Sequence, residues 1–243
     1  VVASEQNHHF NVLFYLLREI GFPESVELKH ISYGLVLLPE GKMKSREGKV
    51  VEADDLIANC KQHIISYYEK EVNTKKSSFI DEELIMKIVR GAISYHLLQV
   101  SPQKDIIFRI EESVRIDGNS GPFIQYTGAR INSLLQKSRK ENPMPAPIQN
   151  ITISPLSYED EILRHILWLR MEISRAISEC DPSVLAGYLF EMCQKYNTFY
   201  QNVPVLHATD ASIREFRLLL SSITLNIIKE TAGLICMEIP SVM

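Results

Sequence analysis

The sequence predicts a mostly α-helical protein in which a small α/β portion precedes an all-helical bundle. From residue 157 onward, apolar residues recur at spacings of three and four, which is the period of helices that bury one face. The earlier segment 29–38 is instead rich in β-branched and apolar residues, which is typical of a strand. The boundary between the two parts is expected near Gly118, giving domains over residues 1–117 and 118–243.

The first half is expected to alternate helices with short strands. Acidic residues in first turns and Gly or Pro at the ends of elements set the expected boundaries. In chain order, the predicted elements are a helix from an extended start to Gly21, a strand over 29–38, helices over 53–71 and 81–99, a short strand over 105–110 and a turn over 117–122.

The second half is expected to hold four helices. The first covers 123–139 and is followed by a long connection, and the next three begin near Ser157, at Asp181 and after Pro204. The last three helices each carry an apolar stripe, so they must pack against each other. The stripes are Ile162, Ile166, Leu169, Ile173 and Ile177, then Leu185, Leu189, Met192, Tyr196 and Phe199, then Ile213, Phe216, Leu220, Ile223 and Ile227.

The composition is that of an ordinary globular protein, with 45% hydrophobic and 23% charged residues. The four cysteines are widely spaced, which predicts free buried thiols and makes a zinc site improbable. A net charge of −4 argues weakly against a nucleic-acid partner, because phosphate contacts need Lys and Arg. One local face can still be basic, and Lys137, Arg139 and Lys140 form a small cationic cluster. The chain opens without Met in a strand-like stretch, so we expect a fragment or a processed product.

A glycine-bounded loop over residues 41–48 is the first candidate for chemistry. It places Lys42, Lys44 and Arg46 directly after the predicted strand. A mobile cationic loop at a sheet edge can close over a polyphosphate and stabilise the charge that develops in phosphoryl or nucleotidyl transfer. The loop lacks the glycine patterns of P-loop and dinucleotide sites. On composition alone, a solvated hairpin loop is the better-supported alternative.

Residues 42–46 (Lys-Met-Lys-Ser-Arg) resemble the Lys-Met-Ser-Lys-Ser signature of class I aminoacyl-tRNA synthetases. The flanking segments 30–34 and 50–56 are similar to arginyl-tRNA synthetases in particular. The most specific match is 118–130, which resembles that family's Gly-Pro-Tyr-Leu-Gln-Tyr motif followed by a helix ending in Ala-Arg. Further similar stretches follow in the family's order at 4–10, 90–95, 101–106, 185–206 and 238–243, so the resemblance covers essentially the whole chain.

The resemblance implies the end of an α/β nucleotide-binding catalytic domain followed by a helical anticodon-binding domain. The complete enzyme would join L-arginine to its tRNA through arginyl-adenylate, using ATP with Mg²⁺. Half of a doubly wound sheet cannot close an ATP site, so the chain is expected to bind tRNA and to be inactive alone. We expect a cytoplasmic monomer without a membrane partner or a bound metal.

The resemblance also implies roles for individual residues. The catalytic positions would be Lys42, Lys44, Ser45 and Arg46, with the charge of the signature retained but moved along the chain. The ATP contacts would come from Gln6, His30, Lys42 and Met43, although Gln6 and His30 could equally be structural polar residues at a strand end.

For tRNA, the resemblance points to exposed aromatic and cationic residues of the helical part. Aromatic faces can stack unpaired anticodon bases, each contact contributing roughly 1–3 kcal/mol. On spacing, Tyr196 and Phe199 belong to the core, whereas Tyr200 lies one step off that stripe and is the better candidate for contact. The expected tRNA-contacting residues are Phe123, Gln125, Tyr126, Arg130, Tyr200 and Met243.

The alternative from a different functional class is a non-catalytic tRNA-binding or scaffold module descended from such an enzyme. The altered signature at Lys44 and Ser45 favours this alternative, as does the truncated start. An unrelated helical protein is a third alternative with little support.

Overall fold

Helices dominate the part of the chain that the structure describes. The computed structural model describes residues 1–37, 39, 52–71, 81–141 and 155–243. The predicted fold class, mostly α-helical with a small α/β portion ahead of a helical bundle, is confirmed. In chain order the elements are β1 (Val2–Ala3), a 3-10 turn (Ser4–Gln6), α1 (Asn7–Glu19), β2 (Ser32–Tyr33), β3 (Val36–Leu37), α2 (Ala53–Glu71), α3 (Glu82–Leu98), β4 (Ile106–Ile107), α4 (Ile110–Ser113), α5 (Gly121–Glu141), α6 (Ser157–Glu179), α7 (Ser183–Asn202) and α8 (Ala211–Leu234).

The predicted single strand over 29–38 is wrong, because the structure has two short strands there. β2 pairs in parallel with β1, and β3 pairs in parallel with β4. The break falls at Gly34, whose N–H donates to the carbonyl of Pro102 at 2.7 Å. A Cβ at residue 34 would lie 2.3 Å from the carbonyl oxygen of Lys104, so only glycine fits this crossing from one partner strand to the next.

The predicted strand over 105–110 is shorter than expected. Its pairing ends at Ile107, after which the N–H of Phe108 still donates to the carbonyl of Leu37 at 2.7 Å. Ile110 instead starts the short helix α4, with Glu111 and Glu112 in its first turn. Acidic residues are favoured at a helix N-terminus, and they outweigh the strand preference of the isoleucines.

Helix α3 joins two apolar cores. One face of α3 contributes Ile88 and Val89 to a smaller core that also contains Ile64 of α2 and Phe108. Tyr95, on the same helix, belongs to the larger core formed with α5, α6, α7 and α8. Since α3 is shared, the α/β portion and the helical bundle are held together by a common element.

The apolar stripe predicted for α7 is confirmed, and all five of its residues are buried. The stripes of α6 and α8 are partly wrong, since Ile177 and Ile223 are exposed. On α8 the buried face includes Ser221 and Thr224. Their hydroxyls donate to the carbonyls of residues 217 and 220 at 2.7 and 2.8 Å, so polar side chains are buried with their hydrogen bonds made.

The four cysteines are free, as predicted, but they are not all buried. Cys60 and Cys193 lie in the two cores, whereas Cys236 is exposed. Cys236 has a φ of 58° and sits in the turn that follows α8. Cys180 also has a positive φ, 51°, where it caps the end of α6. Both residues lie where a helix ends, and neither belongs to the two cores.

None of the helices in the described ranges combines the length and the apolarity that a membrane span requires.

A buried histidine in α3 predicts a loss of stability in mild acid. The Nε2 of His96 lies 3.3 Å from the carbonyl oxygen of Ile107, and its Nδ1 accepts from the Gln99 amide at 3.3 Å. Burial disfavours the charged ring and lowers the pKa of His96. The unfolded chain therefore takes up a proton before the folded chain does, and stability should fall as the pH drops below about 6.5.

His96→Gln removes this titration. We expect the variant to lose less of its free energy of unfolding between about pH 7.5 and about pH 5.5 than the parent protein does, as measured by urea denaturation. His8→Gln, a substitution of an exposed histidine on α1, serves as the matched control. The same pH dependence in the parent and in His96→Gln would contradict the prediction.

Candidate nucleic-acid interface

Four of the six residues predicted to contact tRNA line one groove between α5, α7 and the C-terminal segment. They are Tyr126, Arg130, Tyr200 and Met243, and the groove encloses about 420 Å³. Its remaining lining residues are Ala129, Ser133, Leu134, Lys137 and Leu206.

One side of the groove is a single, partly exposed edge of α5. Tyr126, Arg130, Ser133 and Lys137 recur every three or four residues, which places them above one another on one helix face. The opposite face of α5 is buried through residues such as Ile131. The helix therefore presents an aromatic ring and two cations to the groove while its other side anchors it in the core.

Arg130 is held at the centre of the groove. Its Nη1 donates to Oδ1 of Asn197 at 2.8 Å, and its Nη2 donates to the hydroxyl of Tyr126 at 3.1 Å. The guanidinium also lies over the rings of Tyr126 and Tyr200, 4.7 and 5.4 Å from their centroids. Within the described residues no carboxylate pairs with Arg130, so its positive charge and its remaining N–H donors are available to a phosphate.

The tyrosines of α7 divide between the core and the groove. Tyr196 is buried, and its hydroxyl donates to Oγ of Ser221 at 3.0 Å. Burial raises the pKa of Tyr196, which keeps that hydroxyl neutral. Tyr200, one turn later, is 38% exposed with its ring centroid 6.4 Å from that of Tyr196. A half-exposed ring packed on a buried one is a rigid surface on which a base can stack.

Gln125, predicted to contact tRNA, is not at the surface. The side chain is 0% exposed, and its amide donates to the carbonyls of Lys87 and Glu238 at 2.9 and 2.8 Å. These two bonds fasten α3 and the C-terminal segment to α5. Gln125 therefore acts from the buried face of α5, where it holds the elements that form the groove in position.

Phe123 lies outside the groove. Its ring packs against that of Phe190, with centroids 5.4 Å apart, and the side chain is half-buried. This arrangement joins the start of α5 to α7 and leaves part of the ring accessible. A contact with tRNA at Phe123 would be separate from the groove.

The residues predicted to contact ATP are only partly described. His30 places Nε2 3.1 Å from the carbonyl oxygen of Val2 and stacks on Phe10 at 4.4 Å. These contacts support the alternative structural role, in which His30 holds the end of β1. Gln6 is exposed in the turn between β1 and α1. The predicted signature residues Lys42, Met43, Lys44, Ser45 and Arg46 lie outside the described residues.

The predicted tRNA contacts did not include Lys137, which lines the groove, or Asn197, which orients Arg130. Lys137 was noted only as part of a basic cluster, although its spacing of seven residues from Arg130 could have placed it on the same helix face. Asn197, which orients Arg130, is itself held by a bond from its Nδ2 to Oγ1 of Thr127 at 2.9 Å. Sequence spacing gives no signal for that pairing, because it depends on how α5 crosses α7.

Two family models match successive parts of the chain. Residues 1–110 match the family model described as tRNA synthetases class I (R), catalytic domain, and residues 124–243 match the DALR anticodon binding domain. The chain belongs to the arginyl-tRNA synthetase family. The arginine–tRNA ligase of Treponema denticola is 38% identical over 248 residues, covering 100% of this chain and 42% of the relative. That of Borrelia hermsii is 40% identical over 97% of this chain and 40% of the relative.

A solved structure shows the same fold. The arginyl-tRNA synthetase of Thermus thermophilus superposes with a TM-score of 0.84 and 26% identity, over 100% of this chain and 40% of that one. The chain thus spans about 40% of the length of these arginyl-tRNA synthetases. The groove lies wholly within the part that matches the anticodon-binding domain, and the parallel strand pairs lie within the part that matches the catalytic domain.

Proposed function

We propose that the chain is the C-terminal portion of an arginine–tRNA ligase, inactive alone, and that the groove between α5 and α7 receives the anticodon loop of its tRNA. The observation that supports the groove assignment is the position of the Arg130 guanidinium over the rings of Tyr126 and Tyr200. Anticodon bases are unpaired and can be turned outward, so a groove with an exposed ring and an oriented cation suits them. Family membership supports the same assignment.

Each part of the groove has a distinct task in this proposal. Tyr200 stacks a base, and Met243 together with Leu206 forms the apolar wall beside it. Arg130 and Lys137 neutralise phosphates, with Arg130 already oriented by Asn197 and Tyr126. Since Arg130 is fixed before the RNA arrives, little side-chain entropy is lost on binding. Phe123, half-exposed at the start of α5, provides a further contact outside the groove.

The catalytic part of the proposal concerns the first domain, residues 1–117. ATP with Mg²⁺ and L-arginine are the small substrates, and arginyl-adenylate is the intermediate that donates to the tRNA. Lys42, Lys44, Ser45 and Arg46 would stabilise charge on the phosphates, with Met43, Gln6 and His30 near the nucleotide. The anticodon-binding domain is residues 118–243. A monomeric cytoplasmic enzyme is part of the same proposal.

The competing function is a tRNA-binding module without ligase activity. The observation that favours it is the altered signature, in which Lys44 replaces the usual Ser and Ser45 replaces the usual Lys. Arginine-dependent exchange of pyrophosphate into ATP by the full-length protein separates the two functions. Exchange above background supports the ligase, and its absence in a protein that binds tRNA supports the module.

Tyr200→Ala is expected to weaken binding of arginine tRNA about 5- to 150-fold, because a stacked base contributes roughly 1–3 kcal/mol. Tyr200→Phe keeps the ring and should bind nearly as the parent does. Filter binding at a stated salt concentration measures the effect, with transcripts carrying arginine and non-arginine anticodons.

Arg164→Ala is the matched control for charge. Arg164 is exposed on α6, outside the groove, and its removal should leave the affinity within about twofold of the parent. Arg130→Ala should weaken binding to both sets of transcripts. An unchanged affinity in a folded Tyr200→Ala protein would rule out the anticodon role of the groove.

A further inference from the structure

A second cavity of about 330 Å³ opens between α6 and α7, separate from the groove. It shares no lining residue with the groove, and its walls come from the two helices near His165 and Tyr188. Neither the family resemblance nor the anticodon proposal uses this cavity. Its volume lies at the lower end of the range of small-molecule sites, about 300–1,000 Å³.

A buried nitrogen at one side of the cavity lacks a hydrogen-bond partner. His165 is 3% exposed, and its Nε2 lies 3.0 Å from the carbonyl oxygen of Tyr188. Because a carbonyl only accepts, Nε2 carries the proton and Nδ1 is left as an acceptor. Among the described residues nothing donates to Nδ1. The ring is fixed by stacking on Tyr188, with centroids 4.3 Å apart and planes 8° from parallel, so it cannot turn to find a partner.

A carboxylate without a cation lies beside that nitrogen. Oε2 of Glu191 is 4.0 Å from Nδ1 of His165. The other charges of the cavity balance each other, since Arg175 pairs with Glu172 at 2.8 Å. Within the described parts of the chain, Glu191 has no Lys or Arg partner. The cavity therefore presents two neighbouring acceptors and one uncompensated negative charge.

The exposed wall of the cavity is an indole. Trp168 is 55% exposed, and its ring centroid lies 6.4 Å from that of His165. The face of an indole attracts cations more strongly than that of any other side chain. An apolar stem attached to such a cation would also be shielded from water by the same ring.

We propose that this cavity is a binding site for an alkylguanidinium group. A guanidinium is planar and carries several N–H donors, so it can reach Nδ1 of His165 and Oε2 of Glu191 together while it lies on Trp168. It is also more weakly hydrated than an ammonium group, which favours it in a site with one buried acceptor. Free L-arginine, agmatine and an arginine side chain of another protein share this chemistry.

The single tryptophan of the chain reports on the site directly. The emission of Trp168 is followed while the protein is titrated with agmatine, L-arginine, N-acetyl-L-arginine amide and L-citrulline. We expect a saturable change with at least one guanidinium ligand. L-citrulline has the same length but a neutral urea group, and it should bind at least about tenfold more weakly than L-arginine.

Glu191→Gln tests the carboxylate, which is exposed, so the fold should tolerate the change. We expect its dissociation constant for the best guanidinium ligand to rise at least about tenfold. Glu161→Gln is the matched control, because Glu161 is also exposed and pairs with Lys195 across the same two helices at 3.7 Å without lining the cavity. That control should bind as the parent does.

The titrations distinguish the two possible sources of the guanidinium group. Binding of the free compounds but not of the blocked amide supports a small-molecule ligand, and equal binding of the amide supports an arginine side chain of a partner. No saturable change with any guanidinium, equal binding of L-citrulline, or an unaffected Glu191→Gln protein would each overturn the proposal. None of these results bears on tRNA binding at the groove, which is measured separately.

Discussion

Replacing Glu159 by Ala is expected to lower the free energy of unfolding by about 3–5 kcal/mol, because it leaves a buried arginine without its partner. Glu159 and Arg217 are 1% and 7% exposed, and Oε1 accepts from Nε at 2.7 Å. The second oxygen of Glu159 accepts from the N–H of Leu156 at 2.7 Å, and Nη1 of Arg217 donates to the carbonyl of Pro204 at 2.8 Å. This ion pair therefore joins three parts of the chain, which are the start of α6, the segment between α7 and α8, and α8 itself.

The loss should be smaller when both members are removed together. In Glu159→Ala/Arg217→Met both charges of this pair are removed, and the apolar side chain of Met fills part of the space left by Arg. Removing one partner of a buried pair costs more than replacing both with apolar groups. Urea denaturation of the two single variants and the double variant gives the coupling between the sites.

The surface pair Arg164–Asp160 is the matched control. It has the same donor–acceptor distance, 2.7 Å, and lies on the same helix α6, but it is exposed to solvent. Asp160→Ala should leave the unfolding midpoint nearly unchanged, since water screens such pairs. Equal losses for Glu159→Ala and Asp160→Ala would contradict the role assigned to burial.

The helical bundle could be predicted from sequence where apolar spacing decided the packing. The five residues of the α7 stripe are all buried, because that helix lies in the middle of the core and has apolar residues at each inward position. Glu159 lies in the first turn of α6, a position where an acidic residue is favoured even without a partner. Its burial depends on Arg217, 58 residues further along the chain, and spacing along one helix cannot reveal such a partner.

Only part of the groove was predicted. The resemblance identified residues, but it did not show on which face of the helix each residue lies. Tyr126 and Arg130 are four residues apart and share a face, whereas Gln125 precedes Tyr126 and points about 100° away. Gln125 is in line with Gly121 and Gly128, four residues before and three after it. Two glycines on one helix face indicate a close helix crossing, and this signal could have removed Gln125 from the predicted interface.

Gly121→Ala is the second substitution with a large expected effect. A Cβ at residue 121 would lie 2.1 Å from the carbonyl oxygen of Gly91 and 2.4 Å from its carbonyl carbon. Both are backbone atoms of α3, so no side chain can rotate away, and the two helices must separate. We expect the free energy of unfolding to fall by about 3 kcal/mol, the upper part of the range for overpacked cores.

Gly187→Ala is the matched control, because nothing lies within 4 Å of a Cβ at that position of α7. There the gain in helix propensity should raise stability by about 0.5–1 kcal/mol, so the two Gly→Ala changes should have opposite signs. The difference matters for function, since the α3–α5 crossing fixes the groove relative to the strands of the catalytic part. If Gly121→Ala were as stable as Gly187→Ala, α3 and α5 would not meet as closely as described, and the two parts of the chain would be joined more loosely.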